Sequence, residues 1–311
     1  MDKAVSWRRR RQEPSTIPGA RCPVCGYDDV RLWLDASSQD HEASTFGPSR
    51  RDTSPGRIVR CRGCGLAFRD SRLTASELRR CYSELPGDLY DSESAGRART
   101  AVRHLQILER HAEPGRLLDV GCASGAFLRA AADAGWQVVG VEPSRALCDR
   151  ASLLLGDRGR LICAPLEAAA PQLGKFDAIT LWDVLEHVER PLDFLRVCAG
   201  LLNAGGYLLL NVPDIESLPA RIMGARWPLL LPEHLTYFTR ESLNRCAHLA
   251  GFEPLTQGRR PASFSVDYVL YRLGQHRIPF ATAARHLAAR LGVARTLLVV
   301  PLGERYAVWR R

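Results

Sequence analysis

Two pairs of cysteines near the N-terminus have the spacing of a metal site. Cys22 and Cys25 are separated by two residues, as are Cys61 and Cys64, and a glycine that permits a tight turn follows each pair. Four thiolates suit tetrahedral zinc, and a site with four protein ligands is structural rather than catalytic. The 35 residues between the pairs exceed the common spacing, so we expect a zinc ribbon with a long internal loop. A redox dithiol is the alternative, but no βαβ pattern surrounds these cysteines.

A glycine turn in the segment LLDVGCASGAFL is the second feature that could form a functional site. An apolar strand reaches Asp119, and Gly121 and Gly125 then lead into a helix. The turn lacks the lysine of a phosphate-binding P-loop. It also fails the dinucleotide fingerprint at two of three glycines, because Ala123 and Ala126 take their places. A carboxylate at the tip of the strand instead suits a cationic ligand without phosphate.

Histidines and carboxylates follow in the second half of the chain. His187 and His234 are candidate catalytic bases, because histidine titrates near neutral pH. The segment DVLEH places Asp183 and Glu186 beside His187 at one turn, where residues three or four apart share a face. Together with His234 they could hold a divalent metal ion that acidifies a bound hydroxyl. The alternative is that Glu186 and His187 stabilise a helix start and that each histidine is simply a satisfied, partly buried side chain.

The elements that must position these residues alternate between strands and helices. From residue 116 the pattern runs through RLLDVG, QVVGVEP, GRLICAP, FDAITLW and YLLLNVPD, with helical segments between them. Apolar strands separated by helices predict an α/β fold, a doubly wound parallel sheet buried on both faces. Residues 72–113 and 262–303 have helical patterns, and ERYAVWRR is a candidate closing strand. We therefore expect a disordered basic leader over 1–20, a zinc ribbon over 21–71 and one large domain over 72–311 with a helical C-terminal cover.

The order of these motifs resembles class I S-adenosylmethionine-dependent methyltransferases. DVGCASG is similar to their acidic residue and Gly-x-Gly-x-Gly turn, with Ala123 in the middle glycine position. VVGVEP supplies Glu142, 17 residues beyond Gly125, as the acid that ends the next strand. The resemblance covers about residues 100–260 and implies a Rossmann-like, seven-stranded sheet. It also implies that S-adenosylmethionine is the cofactor.

The resemblance assigns roles to individual residues. Asp119 is expected near the methionine ammonium group, Glu142 at the ribose hydroxyls and Leu166 beside the adenine. Ala164 stands where many relatives carry an acid for the adenine amino group, which puts that contact in doubt. The whole implied cofactor-binding set is Asp119, Gly121, Cys122, Gly125, Glu142, Leu166 and Trp182. The alternative for the two acids is helix N-capping.

The catalytic set expected from the resemblance is Glu186, His187 and His234. Some methyltransferases that act on small molecules or on RNA 2′-hydroxyls carry a similar Glu-x-x-Glu-His motif and a later histidine, which hold a divalent metal. In this chain Asp183 replaces the first glutamate. A second metal at these four residues is therefore a further expectation.

The whole architecture, including the segment PEHLTYFTRESL, is similar to bacterial methyltransferases associated with glycan, lipid and natural-product assembly. We expect O-methylation of a small molecule or a sugar or glycan intermediate. Related sugar C-methyltransferases carry a further C-terminal domain, for which this chain is too short. Two alternatives remain: an RNA methyltransferase whose basic zinc ribbon grips nucleic acid, and a non-catalytic cofactor-binding protein.

Composition limits the remaining possibilities. The net charge is +9 and 46% of the residues are hydrophobic, which is ordinary for a globular protein. The basic excess lies at the two ends and consists almost entirely of arginine. No apolar run has the length of a signal sequence core or a transmembrane helix. Ten cysteines without a secretory signal predict a cytoplasmic protein. The oligomeric state cannot be read from the sequence.

Overall fold

The computed structural model describes residues 19–36, 56–70, 94–231, 233–275 and 279–311. Almost all of the expected basic leader, and the first part of the helical pattern over 72–113, lie outside the described residues. In the described part of the chain, no helix has both the length and the apolar character needed to cross a membrane.

The strands are β1 (Val30–Ala36), β2 (Gly56–Cys61), β3 (Ala67–Arg69), β4 (Arg116–Val120), β5 (Gln137–Val141), β6 (Gly159–Ile162), β7 (Phe176–Trp182), β8 (Leu202–Pro213), β9 (Thr236–Tyr237), β10 (Glu253–Ser265) and β11 (Leu297–Arg310). The helices are α1 (Ser94–Leu108), α2 (Ala126–Asp133), α3 (Arg145–Leu155), α4 (Leu166–Ala169), α5 (Pro191–Leu201), α6 (Leu218–Met223), α7 (Arg240–Ala250), α8 (Val266–Gln275) and α9 (Ala281–Arg290).

The large sheet has seven strands in the order β10-β11-β8-β7-β4-β5-β6. Strands β4 to β8 pair in parallel, and β11 is antiparallel to both β8 and β10. This order confirms the expected α/β, Rossmann-like methyltransferase sheet, although the sheet is mixed rather than wholly parallel. Because the parallel strands all end at the same edge, the residues that follow β4, β5 and β7 meet there.

The C-terminal region differs from the helical expectation at two places. Helices α8 and α9 lie inside the predicted range 262–303, but residues 262–265 belong to β10 and residues 297–303 to β11. The two strands pair from Ala262 with Val300 to Ser265 with Leu297. The stretch TLLVV carries residues with strong strand preference, and its antiparallel partner decides between strand and helix. That partner is distant along the chain, so the local pattern did not reveal it.

A second, four-stranded sheet joins the cysteine-rich segment to the large domain. Its strand order is β1-β2-β3-β9. Strand β9 belongs to the large domain and follows β8 in the sequence. The residue pairs of this junction are Ala67 with Tyr237 and Phe68 with Thr236. Apolar side chains of both parts also belong to one hydrophobic cluster, including Cys22, Cys64, Leu66, Phe68, Phe238, Leu243 and Cys246. The cysteine-rich segment is thus packed onto the core rather than tethered to it.

Close packing against the glycine turn requires a glycine in the middle of β5. A Cβ atom added to Gly140 would lie 2.5 Å from Leu128 Cδ1, 2.7 Å from Leu161 Cδ2 and 2.8 Å from Cys122 Sγ. Real Cβ atoms do not approach other atoms so closely, because protein interiors are already close-packed. The missing side chain therefore lets α2 and the turn lie directly on the sheet.

We predict that Gly140→Ala lowers the free energy of unfolding by about 1–3 kcal/mol, because the new methyl group overpacks two buried side chains and the partly buried Leu161. Gly200→Ala is the matched control, since an added Cβ there meets nothing within 4 Å and the site lies in α5. That control should raise the free energy of unfolding by about 0.4–1 kcal/mol. Urea unfolding of the three proteins measures both effects, and equal stability of Gly140→Ala and the parent would contradict the packing argument.

Candidate active site

Two adjoining cavities open at the carboxyl ends of the parallel strands. The first, which we name the Glu142 cavity, has a volume of about 540 Å³. The second, which we name the His234 cavity, has a volume of about 480 Å³. The residues that line both are Arg97, Gly121, Ala123, Trp182 and Asp183. A ligand in one cavity therefore lies directly beside a ligand in the other.

The glycine turn forms the shared floor of the two cavities. Gly121 and Gly125 have φ values of 71° and 82°, in the left-handed region that favours glycine. A Cβ atom on Gly121 would lie 2.7 Å from Val184 Cγ2, so the bare backbone is needed there. Ala123 adopts φ 47° although it has a side chain, a conformation that costs about 1–2 kcal/mol. The turn keeps this shape because the Ala123 N–H has a fixed acceptor.

That acceptor is the buried carboxylate of Glu142, at the end of β5. Its Oε2 accepts a hydrogen bond from Ala123 N at 3.0 Å, and its Oε1 accepts one from Ser144 N at 2.9 Å. Burial raises the pKa of Glu142, and the two N–H donors act in the opposite direction. Each carboxylate oxygen can accept more than one hydrogen bond, so capacity remains for hydroxyl groups of a ligand in the Glu142 cavity.

Asp119, at the tip of β4, lines the other cavity. It is buried, and its Oδ1 accepts a hydrogen bond from the Thr180 hydroxyl at 2.7 Å. Burial raises the pKa of Asp119 to about 7, the Thr180 bond opposes that rise and the charge of Glu142 adds to it. A cation placed beside this carboxylate would restore its ionised form.

Neither acid caps a helix, which was the alternative for both. Helix α2 begins after Gly125 without a side-chain cap, and the N-cap of α3 is Ser144, whose hydroxyl accepts from Leu147 N. The two carboxylates instead lie where the cavities meet the turn.

The remaining residues of the expected cofactor set lie around the same cavities. Leu166 is buried and lines the Glu142 cavity. Cys122 is buried in the core beside Gly140 and also lines the His234 cavity. Trp182 lines both cavities and stacks on His104, with 3.7 Å between the ring centroids and 15° between the planes.

Glu186, His187 and His234 form one group at the boundary of the cavities. One ligand atom from each lies within 4.8 Å of the other two. His187 Nδ1 bonds the carbonyl oxygen of Glu233 at 3.0 Å, and His234 Nδ1 bonds that of Leu229 at 2.9 Å. A carbonyl oxygen can only accept, so each Nδ1 carries the proton and each neutral ring has its lone pair on Nε2. This is the arrangement that orients histidines as metal ligands.

Both imidazoles are held in the neutral form. Burial lowers the pKa of His187 to about 4, and the bond to the Glu233 carbonyl offsets part of that effect. Burial together with the neighbouring His187 ring lowers the pKa of His234 well below its usual value. At neutral pH each Nε2 is therefore unprotonated, which is the form that binds a metal ion or accepts a proton.

Asp183, the fourth residue expected in this group, lies outside it. Its backbone adopts φ 56°, and its side chain is exposed. The Asp183 N–H donates to Asn211 Oδ1 at 3.0 Å, and the Asn211 amide donates to the Asp183 carboxylate. These two hydrogen bonds hold Asp183 against β8. The expected group of four metal ligands is therefore reduced to Glu186, His187 and His234.

The four N-terminal cysteines converge as their spacing predicts. The sulfur atoms of Cys22 and Cys64 are 3.6 Å apart, and those of Cys25 and Cys61 are 3.5 Å apart. A disulfide would need about 2.05 Å. Four sulfurs at about 2.3 Å from one zinc ion lie about 3.8 Å from one another. The donor set and its spacing therefore fit zinc, and the zinc ribbon itself stays a prediction.

Several residues that line the His234 cavity were not found from the sequence. Arg97, Thr100 and His104 come from α1, which precedes the glycine turn, and Tyr268 and Glu304 come from the C-terminal region. In the sequence, helix α1 shows only an ordinary amphipathic pattern. The spacing of its polar residues is not typical of a catalytic or binding site. Folding alone brings these side chains to the cavity.

Comparisons with known proteins agree with this geometry. The family model described as "Methyltransferase domain" matches residues 93–257. The chain is 30% identical over 221 residues to a "Ubiquinone biosynthesis O-methyltransferase" of Bordetella avium, covering 66% of this chain and 91% of that protein. It is 38% identical over 115 residues to a protein of the same name from Xanthomonas campestris pv. campestris, covering 35% of this chain and 48% of that protein.

Among solved structures, one similar chain is the 1,6-didemethyltoxoflavin-N1-methyltransferase of Burkholderia thailandensis. It has a TM-score of 0.48 and 16% identity, and the match covers 82% of this chain and 95% of that one. The family model spans more than half of the present chain, and the Bordetella avium relative is matched over nearly its whole length. The chain therefore belongs to the methyltransferase-domain family and is an S-adenosylmethionine-dependent methyltransferase.

Proposed function

We propose that this enzyme methylates a hydroxyl oxygen of a small molecule. The observation that carries the proposal is the group of Glu186, His187 and His234. His187 lines the Glu142 cavity, whereas Glu186 and His234 line the His234 cavity. The group thus lies at the boundary of the two cavities, where the methyl group of a cofactor that reaches from Glu142 to Asp119 would meet an acceptor in the rest of the His234 cavity. The names of the relatives favour oxygen as the methylated atom, and the sequence resemblance suggests sugar or glycan intermediates as one acceptor class.

The residues present fit S-adenosylmethionine. Glu142 would accept hydrogen bonds from the ribose hydroxyls, and Leu166 would flank the adenine. Asp119 would face the methionine ammonium group, and the backbone between Gly121 and Gly125 would lie against the ligand without side chains in the way. The support for this placement is the pair of cavities with one carboxylate facing each.

Bound S-adenosylmethionine supplies an electrophilic methyl group on a positively charged sulfur. The acceptor oxygen must lose its proton as it takes the methyl group. A neutral imidazole at His234 or His187 is placed to take that proton through Nε2. The walls of the His234 cavity, which include Phe264 and Leu302, would hold the acceptor in place.

Two metal sites accompany this proposal. The four cysteines would hold a structural zinc ion. As an alternative to that proton transfer, Glu186 and the same Nε2 atoms of His187 and His234 would hold a divalent cation, whose chemistry is to lower the pKa of a hydroxyl group. Neutral imidazoles and a carboxylate are the donors that such a cation needs.

We predict that Glu142→Gln weakens binding of S-adenosylmethionine at least about tenfold, because a neutral amide is a poorer acceptor for two hydroxyls. Isothermal titration calorimetry with S-adenosylmethionine and S-adenosylhomocysteine measures the change. Glu241→Gln, at an exposed position of α7, is the control and should bind like the parent. Unchanged affinity in a folded Glu142→Gln protein would remove the carboxylate from the cofactor site.

We also predict that cofactor affinity falls as the pH drops below 7. The pKa of Asp119 is raised to about 7, so in the free protein this carboxylate is protonated at lower pH. The ammonium group of the cofactor binds better to the ionised carboxylate. The dissociation constant should be about tenfold higher at pH 6 than at pH 8, and binding near pH 7 should release a proton. Asp119→Asn should bind weakly with no such pH dependence. A parent profile that is flat over this range would count against the ammonium assignment.

The O-methylation proposal is tested with labelled S-adenosylmethionine and an extract of hydroxylated small molecules. We expect methyl ethers among the products, identified by mass spectrometry. His234→Ala should lower the rate about 10²–10⁴-fold, the usual contribution of a general base, while cofactor affinity is retained. His248→Ala, at an exposed histidine of α7, is the matched control.

Metal analysis of the same proteins separates the two metal sites. Cys64→Ser should lose zinc, and His234→Ala should lose only a second, exchangeable cation. Cys163→Ser, at an exposed cysteine outside the group of four, should lose neither. Products methylated only on nitrogen or carbon would refute O-methylation, whatever the metal content.

A further inference from the structure

A third cavity, of about 270 Å³, lies between α1 and the hairpin of β10 and β11. Helix α1 contributes Thr100, Arg103 and His104, and Arg110 follows just beyond its end. The hairpin contributes Arg259 and Tyr306. We name it the arginine cavity.

The arginine cavity carries positive charge without a matching negative charge. Three arginines are among its lining residues, and none of its lining residues is an acid. Within the described ranges, Arg103, Arg110 and Arg259 form no ion pair, and Arg103 donates instead to Ser263 Oγ at 2.7 Å. By contrast, Arg285 and Arg305, on α9 and β11, are paired with Asp267 and Asp214. Three like charges around one concave space favour an anionic ligand.

The packing of Tyr306 shows that this wall has a defined shape. Gly258 and Tyr306 are opposite each other in the β10–β11 ladder. A Cβ atom on Gly258 would lie 2.4 Å from Tyr306 Cε1 and 2.7 Å from its hydroxyl oxygen, so the ring lies flat over a bare backbone. The phenol and Arg259 both line the cavity. Hydroxyl and guanidinium donors without a competing carboxylate suit an oxyanion.

The arginine cavity adjoins the proposed acceptor site. Thr100 and His104 line both the arginine cavity and the His234 cavity. Ser263, the hydrogen-bond partner of Arg103, also lines the His234 cavity. One molecule with an anionic end and a hydroxyl-bearing end could therefore contact both.

We propose that the arginine cavity binds a phosphoryl group of the methyl acceptor, whose hydroxyl lies in the His234 cavity. The inference rests on the proposed O-methylation and narrows its substrate to phosphorylated small molecules. A phosphate monoester carries a charge of about −1.5 to −2 near neutral pH and offers three oxygens, which matches several guanidinium groups better than one carboxylate does.

The site is tested by titrating inorganic pyrophosphate into the full-length protein saturated with S-adenosylhomocysteine. Arg110→Gln with Arg259→Gln should weaken binding at least about tenfold, because two charged donors are removed. Both positions are exposed, so the fold is expected to survive, and an unchanged S-adenosylhomocysteine titration verifies it. Arg99→Gln, at an exposed position of α1 outside the cavity, is the control. Absence of pyrophosphate binding, or equal binding to the double variant, overturns the site.

A second arm tests the link to the methyl acceptor. Labelled methyl transfer to a small-molecule extract is compared before and after phosphatase treatment of the extract. We expect the treatment, and equally the double variant on untreated extract, to lower transfer at least about tenfold. Equal transfer to both extracts overturns the substrate class. Failure of O-methylation itself would appear differently, as transfer to neither extract by a protein that still binds pyrophosphate.

Discussion

The pairing of β3 with β9 is the contact on which the site geometry depends most. It attaches the sheet of the cysteine-rich segment to the short stretch that follows His234. On the other side of that stretch, the Leu235 N–H donates to the carbonyl oxygen of Glu186 at 2.8 Å, and Arg69 N donates to the Leu235 carbonyl oxygen at 2.9 Å. The backbone beside His234 is thus held between the turn that follows β7 and strand β3 of the small sheet. A metal that stabilises the cysteine cluster would therefore also keep His234 beside His187.

Glu142 holds the geometry of the proposed cofactor site through its hydrogen bonds. One carboxylate fixes the Ala123 N–H in a left-handed turn and the Ser144 N–H ahead of α3. The same group faces the cavity proposed for the ribose. Hydrogen bonds to a charged group contribute about 1.5–3 kcal/mol each, enough to hold Ala123 in a conformation that a side chain disfavours. The turn and the proposed ligand contact therefore depend on the same side chain.

The parts of the site that the sequence predicts lie on single strand-turn-helix units. Asp119 and Glu142 end strands whose apolar runs are visible, and Glu186 and His187 follow β7 within five residues of its end, so short-range spacing is enough to place them. His104 and the β10–β11 hairpin depend on contacts between distant segments. A two-residue strand such as β9 has no periodicity at all. For the same reason the displacement of Asp183 could not be anticipated, since its partner Asn211 lies on β8.

The burial of Asp119 affects both the stability of the unliganded protein and the proposed contact with the cofactor. Because burial raises the pKa of Asp119 to about 7 in the folded, unliganded protein, this group lowers the free energy of unfolding progressively as the pH rises from its ordinary pKa towards 7, and fully above pH 7. A bound ammonium group offsets that cost. S-adenosylmethionine and S-adenosylhomocysteine carry the same ammonium group, so in the proposed placement Asp119 would contribute equally to binding both. Release of the product must instead depend on the groups near the sulfur, where the positive charge has been lost.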